Sequence, residues 1–324
     1  MMLFCSTRLF LLPLLVIAFD HSVTLVRGDR YPVQYELRAD DYWRVTMPNG
    51  MRFDTSGLAL DAGGRLLTVH DRNPDVWHIQ PSKTDGSLES HVAGVSMLTN
   101  CFTPLQLRPF ARENSDRYDT EGLGVDSQGR LYSCEEANRW ILRFDPSRGV
   151  VERLPIDWST VRRYFSSDVN ASFEGVAVGD DQRLYVANER NSARIFVVDL
   201  RTYEIIDNFV VSPQRSGFGF LHYSDLCWHR GFLYVLCRHQ YVILKVDPGT
   251  HRVLAEYHYK KLENLPEHRY QSRYPTGIME GLAVDDQNFW LLTDNNCETR
   301  KQDPKDRRPT LFRCLRPDTL GTTR

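Results

Sequence analysis

The chain has 324 residues, 41% hydrophobic and 25% charged, an ordinary globular balance with ample material for a core. Its formal net charge of −2 offers no bulk attraction to nucleic acid or to an acidic membrane surface, which argues against both as partners. Aromatic residues at 11%, with 15 tyrosines and 16 phenylalanines, favour strands over helices.

Residues 1–28 read as a secretory signal peptide. Arg8 supplies a positive flank, and residues 9–19 form an apolar run interrupted only by Pro13. That run suits a leader and is too short to span a bilayer. Val26 and Gly28 give a small-residue cleavage pattern before Asp29. Residues 29–324 are then expected to be a single exported domain, secreted or periplasmic, monomeric, with no transmembrane span after cleavage. Loss of Cys5 with the leader leaves six cysteines, for which fifteen disulfide connectivities exist. Cys297 and Cys314 bracket a charged loop and are the first pair to test. Hairpin register would set Cys227 near Tyr234, against a Cys227–Cys237 bridge. The chain has no CxxC, so no cysteine spacing points to zinc or redox chemistry.

Residues 35–47 (YELRADDYWRVTM) look like one strand without an immediate partner, ended by the turn signal Pro48, Asn49, Gly50. After it a sentence recurs: GLALDAGGRLLTV from Gly57, GLGVDSQGRLYSC from Gly122, GVAVGDDQRLYVA from Gly175 and GLAVDDQNFWLLT from Gly281. Each is thirteen residues long. A looser copy, LCWHRGFLYVLC, follows Asp225 with a turn one residue shorter. Equal length inside and unequal gaps outside mark a repeated structural unit. Further strand pairs follow the second, third and fourth copies (WILRFDPSRGVVERLPI, IFVVDLRTYEIIDNFVV, VILKVDPGTHRVLAEYHY), so each unit is four antiparallel strands. The last unit stops at LFRCLRP, one strand short, and the N-terminal strand is the natural donor of the missing one. The expected fold is all-β, a five-bladed β-propeller closed by that strand. The alternative is a degenerate sixth blade squeezed into the residues before Asp54.

In such a ring the residue before each glycine, the tips of the second strands and the blade connections gather on one face. The long insertions 96–118, 155–172, 212–223, 259–278 and 298–309 all fall there, and elaborated loops on a rigid scaffold are where sites are built. The residue before the glycine reads Ser56, Glu121, Glu174, Ser224, Glu280. Three carboxylates at related places would repel one another unless a cation relieved them, and an oxygen-only donor set suits Ca²⁺. Asp225, standing where glycine stands elsewhere, is a fourth acidic candidate. The strand tips carry Arg72, Glu136, Glu189, Arg190 and Arg238. The arginines would suit an anionic substrate, with Glu136 or Glu189 as general base. No GxSxG, HExxH or GxxxxGK[ST] occurs, and His222, Ser224 and Asp225 read as a chance grouping rather than a triad.

The series FDTSGLALD, DTEGLGVDSQGRLYSCEEANRWILRFDP, FEGVAVGDDQRLYVANER, YSDLCWHRGFLYVLCR and MEGLAVDDQNFWLLTDNN resembles the phytase-like propeller family, the esterase-like domain of phytase. It is similar as well to the SdiA-regulated propeller family. The resemblance covers about residues 54–315 and implies a five-bladed ring, Ca²⁺ near Glu121, Glu174 and Glu280, and hydrolysis of phosphoesters or esters. Asp225 and a sparse acidic content elsewhere depart from the densely acidic site of the β-propeller phytases, which argues against phytate. Three functions follow: a metal-dependent hydrolase, with Arg72, Arg190 or Arg238 stabilising developing charge; a non-catalytic calcium-stabilised ring that binds a glycan, peptide or envelope partner; and, ranked below both, a lactonase-like enzyme.

Overall fold

A computed structural model describes residues 31–83, 91–110, 118–168, 171–190, 192–214, 220–271 and 277–319. The expected leader lies outside the described residues. The chain enters through two short strands, β1 (Val33–Glu36) and β2 (Asp41–Thr46). Antiparallel four-strand runs follow. The first is β3 (Thr55–Leu60), β4 (Leu66–His70), β5 (Asn73–Pro81) and β6 (Val92–Met97). The second is β7 (Thr120–Val125), β8 (Leu131–Glu135), β9 (Trp140–Asp145) and β10 (Val150–Arg153). The third is β11 (Phe173–Val178), β12 (Arg183–Asn188), β13 (Arg194–Asp199) and β14 (Ile205–Phe209). The fourth is β15 (Tyr223–His229), β16 (Phe232–Cys237), β17 (Val242–Asp247) and β18 (Arg252–His258). Last come β19 (Met279–Val284), β20 (Asn288–Thr293) and β21 (Thr310–Leu315), whose outer neighbour is β2.

β2 pairs antiparallel with β21, Trp43 opposite Leu311 and Asp41 opposite Arg313. The N-terminal segment therefore does complete the last run, but it is two strands rather than one. β1 lies parallel to β18, Tyr35 opposite Tyr257, covering the outer edge of the fourth run. β2 also pairs parallel with β6, Arg44 opposite Val92, and so joins the last run to the first in one eight-stranded sheet. Two edges that would otherwise present bare N–H and C=O groups are closed by one short segment.

The first strands of successive runs lie side by side, β3 on β7, β7 on β11, β11 on β15, β15 on β19 and β19 back on β3. The arrangement is propeller-like. Because a strand's side chains alternate in direction, each run buries both faces. On β12, Leu184 and Val186 pack toward the second run, while Tyr185 and Ala187 pack toward the fourth. This is why the repeat reads as an unbroken apolar string and not as apolar and polar in alternation. A Leu or Val buried in this way contributes roughly 1.5–3 kcal/mol.

The polar turns opposite the loop face are locally determined. Asp61 Oδ1 accepts from the N–H groups of Gly63 and Arg65 at 2.9 Å, and Asp126 Oδ1 does the same with Gln128 and Arg130. Both turns place a glycine at φ +75°, where a side chain would be strained. In the last run Gly281 pairs with Leu292, whereas Gly175 pairs with Ala187, so its turn is also one residue shorter than in the first three copies.

All six cysteines from Cys101 to Cys314 are free. The Cys297–Cys314 expectation fails for a geometric reason. Cys314 is buried opposite Phe289, toward the turn end of β21, while Cys297 lies in the tip after β20. Four residues of strand separate Cys314 from Thr310 at the tip end, roughly 13 Å at 3.3 Å per residue. Cys227 does stand opposite Tyr234. Among the described residues no helix is long and apolar enough to cross a membrane.

Candidate functional site

The glycine that opens each of the first three copies is required by backbone contact at the centre of the ring. A Cβ on Gly57 would stand 2.6 Å from the backbone N of Leu123, on Gly122 2.8 Å from that of Val176, and on Gly175 2.7 Å from that of Leu226. Neighbouring first strands touch backbone to backbone there, and no side chain fits. The fourth run substitutes Asp225, which is fully buried. Its Oδ2 accepts from Leu58 N–H (3.0 Å) and Leu282 N–H (2.7 Å), and its Oδ1 from Leu226 N–H (2.8 Å). Asp225 thus ties the fourth run to the first and the last, and it is not among the side chains lining the cavity described next.

Above this plug a cavity of about 560 Å³ opens toward the connections. Three sets of equivalent positions build it. The axial set is the residue before the glycine: Ser56, Glu121, Glu174 and Glu280 line the cavity, while Ser224 turns away to donate to the Met279 carbonyl. Two residues upstream lie Asp54, Asp119, Ser172, His222 and Ile278. The third set follows the second strand: Asp71, Glu136, Glu189, Arg238 and Asp294. Each N–H of the third set donates to the carbonyl of the second set in its own run, at 2.7–3.2 Å. One repeated hydrogen bond therefore aims five tips at one space.

Among the described residues nine carboxylates line that space: Asp71, Asp119, Glu121, Glu136, Glu174, Glu189, Glu280, Asp294 and Glu298. Among the same residues two arginines, Arg190 and Arg238, face them. The expected sparseness of acidic groups is thereby corrected, because the tips of separate runs contribute most of them. Burial, and then the charge of Glu189, Glu121 and Glu136, pushes Glu174 well above the usual carboxylate range. Glu121 rises for the same reasons, burial first and Glu136 next, against a hydrogen bond from Ser56 Oγ at 2.7 Å. Burial raises Glu136 to about 8 even though it accepts from Ser172 N–H, and Glu189 to about 7 despite Arg190 and Arg238. Asp294 stands at about 7. Glu280 is ion-paired with Arg238, and Glu189 with Arg190. His222 is held well below its ordinary range by burial and by Arg238, and His239 falls to about 4 for the same causes.

Of the residues singled out from the sequence, Glu121, Glu174, Glu280, Glu136, Glu189, Arg190 and Arg238 all line this one cavity. Arg72 is not among its lining residues. Its guanidinium is paired with Asp54 at 2.9 Å, which also pairs with Arg52. His222, which in the sequence reads as a chance neighbour of Ser224 and Asp225, and His239, given no role there, also line the cavity. His222 Nε2 lies 2.5 Å from Glu189 Oε1, and its Nδ1 lies 2.9 Å from His239 Nε2. The available signal was the two-residue step: what stands two before the axial position shares its strand face, and in the fourth run that is His222.

Residues 51–297 match the family described as "Phytase-like: Esterase-like activity of phytase". No curated protein matches the chain by sequence. Among solved structures, Myxococcus xanthus glutaminyl cyclase is 15% identical over 88% of this chain and 97% of its own, with a TM-score of 0.55. The PQQ-bound aldose sugar dehydrogenase of Streptomyces coelicolor is 12% identical, covering 88% and 100%, at 0.47. Virginiamycin B lyase of Staphylococcus aureus is 11% identical, covering 81% and 66%, at 0.41. At such identities the likeness to the cyclase concerns fold alone, and the other two carry no argument.

Proposed function

The chain belongs to the phytase-like family, and from that premise we propose that it is an exported calcium-binding propeller that hydrolyses phosphoesters or carboxyl esters in the loop-face cavity. Its four-strand runs are read as five blades, the last completed by β2. The observation that carries the reading is the clustering of carboxylates: among the described residues nine, buried or half-buried, share one cavity with two arginines. Such a set must either hold protons, as the raised titrations of Glu136, Glu189 and Asp294 describe, or accept a cation. The donors fit a hard divalent ion. Glu280 Oε2 and Glu189 Oε2 are buried without a hydrogen-bond partner, and the axial glutamates Glu121, Glu174 and Glu280 bring oxygen donors. Glu121, Glu174 and Glu280 would hold Ca²⁺, leaving out Asp225, whose oxygens are occupied by backbone N–H groups.

A bound Ca²⁺ supplies Lewis-acid polarisation of the substrate oxygen. Arg190 and Arg238 orient an anionic group by paired N–H donors and stabilise charge that develops on it. Glu136 or Glu189, both at strand tips lining the cavity, would take a proton from attacking water and return it to the leaving group, Glu136 remaining available where Glu189 is engaged otherwise. A second reading, a non-catalytic calcium-stabilised ring, is favoured by one observation. The hydroxyls among the described lining residues, Thr55 and Ser56, already donate to the Thr293 carbonyl and to Glu121, so no free nucleophile stands out. A screen of phosphomonoesters, phosphodiesters, carboxyl esters and lactones, with and without chelator, separates the two. Turnover lost on chelation and lowered on the order of 100-fold or more in Glu174→Gln, with the circular dichroism unchanged, is the expected result. Chelation that lowers the melting temperature with no turnover on any class selects the second reading.

A further inference from the structure

Within the cavity one corner differs in chemistry from the rest. Ligand atoms of Glu174, Glu189 and His222 all lie within 4.8 Å of one another, and all three residues are buried. They come from three places in the fold: Glu174 from β11, Glu189 from the tip after β12, and His222 from the entry to β15 of the next run. Glu189 gives Oε1 to Arg190 and keeps Oε2 buried with no hydrogen-bond partner. His222 Nε2 is likewise buried, and faces Glu189 Oε1 at 2.5 Å without hydrogen-bonding geometry. On the far side of the ring, His222 Nδ1 meets His239 Nε2 at 2.9 Å.

That far-side contact has a consequence for Nε2. If His222 Nδ1 carries the proton and donates it to His239, then Nε2 is a bare lone pair aimed at a carboxylate. Arg190 meets Glu189 Oε1, but Glu189 Oε2 and His222 Nε2 have no hydrogen-bond partner, and a cation joining these two would satisfy both. A partner on the second ring nitrogen that fixes the tautomer is the usual support of a metal-bound imidazole. Two carboxylates and one imidazole, with a fourth position opening on the cavity, match the donor set of a catalytic Zn²⁺ site. Imidazole is a poor ligand for Ca²⁺ and a good one for zinc-like ions.

We infer that Glu174, Glu189 and His222 form a second cation position beside the calcium, one that takes a borderline divalent metal such as Zn²⁺ in preference to Ca²⁺. The inference rests on the reading of this cavity as a cation site and adds to it a nitrogen ligand and a different class of metal. Ligands of one such ion stand roughly 3 Å or more apart, so binding parts His222 from Glu189 by less than about 1 Å. Glu174 is then shared between the two positions, and its loss weakens both.

The test uses the full mature chain, stripped with chelator and dialysed. Co²⁺ serves as the spectroscopic probe and Zn²⁺ as the competitor. One equivalent of Co²⁺ should give a visible d–d band that Zn²⁺ removes at stoichiometric concentration and millimolar Ca²⁺ leaves in place. His222→Ala should abolish the band, and His239→Ala should weaken Zn²⁺ binding about 10–100-fold. Ca²⁺ should still raise the melting temperature of His222→Ala as it does that of the parent, which also reports that the variant folds. Should His222→Ala not fold, Glu189→Gln carries the same expectation for the band. Zn²⁺ bound no more tightly than Ca²⁺, or Co²⁺ bound equally by parent and His222→Ala, overturns this inference while leaving the calcium reading intact. Failure of every divalent ion to bind overturns both.

Discussion

The two ends of the ring use the same side chain for opposite purposes. At the turn end, carboxylates are held ionised by local partners. Hydrogen bonds from Arg201 bring Asp199 down to about 2, those from Thr250 and Gly249 lower Asp247, and Asp61 is lowered by Arg65 and Gly63 against the effect of burial. At the loop end, burial and neighbouring carboxylates push Glu136 up to about 8 and Glu189 and Asp294 to about 7. Distance along the chain accounts for the difference. A turn aspartate finds its donors two to four residues away, whereas the cavity carboxylates meet because five tips converge. The turns are built for stability, and the cavity keeps an electrostatic cost that a ligand can relieve.

The sharpest way to break this comparison is to disturb the axis on which the convergence depends. Gly122→Ala places a Cβ 2.8 Å from backbone atoms of Glu174, Gly175 and Val176. It should cost about 3 kcal/mol or more in denaturant unfolding. A loss below about 1 kcal/mol would mean that the first strands are not in contact there.

Next is the pH dependence of the two ends. A carboxylate whose folded titration is raised binds its proton more tightly in the folded state, so its contribution is full below about pH 4.5 and is lost as pH rises through the folded value. With Glu136 at about 8 and Glu189 and Asp294 at about 7, the metal-free protein should lose stability between pH 5 and pH 8. Calcium at 100 times its Kd adds about 2.7 kcal/mol. That corresponds to a melting shift of about 4–5 °C at pH 8. At pH 5, where protons compete for the same oxygens, the shift should be small. Calorimetry at the two pH values with and without Ca²⁺ checks this, and equal shifts would show that the ion does not bind at the raised carboxylates of the cavity, Glu121 and Glu174 among them.

Asp225→Asn sharpens the boundary between plug and cavity. Replacing one oxygen with a second donor leaves at least one of the three backbone N–H groups unpaired, at a cost of about 2 kcal/mol. Calcium affinity by titration calorimetry should be unchanged, and a fall of tenfold would return Asp225 to the ligand set. The smallest effect belongs to the turn end. Asp61→Ala removes acceptors for two N–H groups and should cost about 1 kcal/mol, with no change in cation binding.

How much of this was legible follows the same division. The thirteen-residue copies, the Asp-capped turns and the three glutamates before glycine were readable because each is a local, periodic pattern. The shorter turn of the last run was not, since a slip of one residue shows only in the pairing of Gly281 with Leu292. Nor was the split of residues 35–47, because β1 is short, exposed and pairs parallel with a strand more than 200 residues later. His222 read as a chance neighbour of Ser224 and Asp225. Its actual partners, Glu189 and His239, lie 33 and 17 residues away in the tips after other strands.

The sequence by itself determined a ring of repeated four-strand units, through apolar strings buried on both faces, glycines where backbones touch, and turns satisfied by their own side chains. Those rules act over a few residues and leave a mark wherever they act. Only the tertiary structure decided which charges share a cavity, that Glu280 answers to Arg238 and Glu189 to Arg190, and that an imidazole stands among the carboxylates. Closing the ring brings together side chains from separate runs, and the Coulomb and desolvation energies that follow depend on separation in space, which no spacing along the chain encodes.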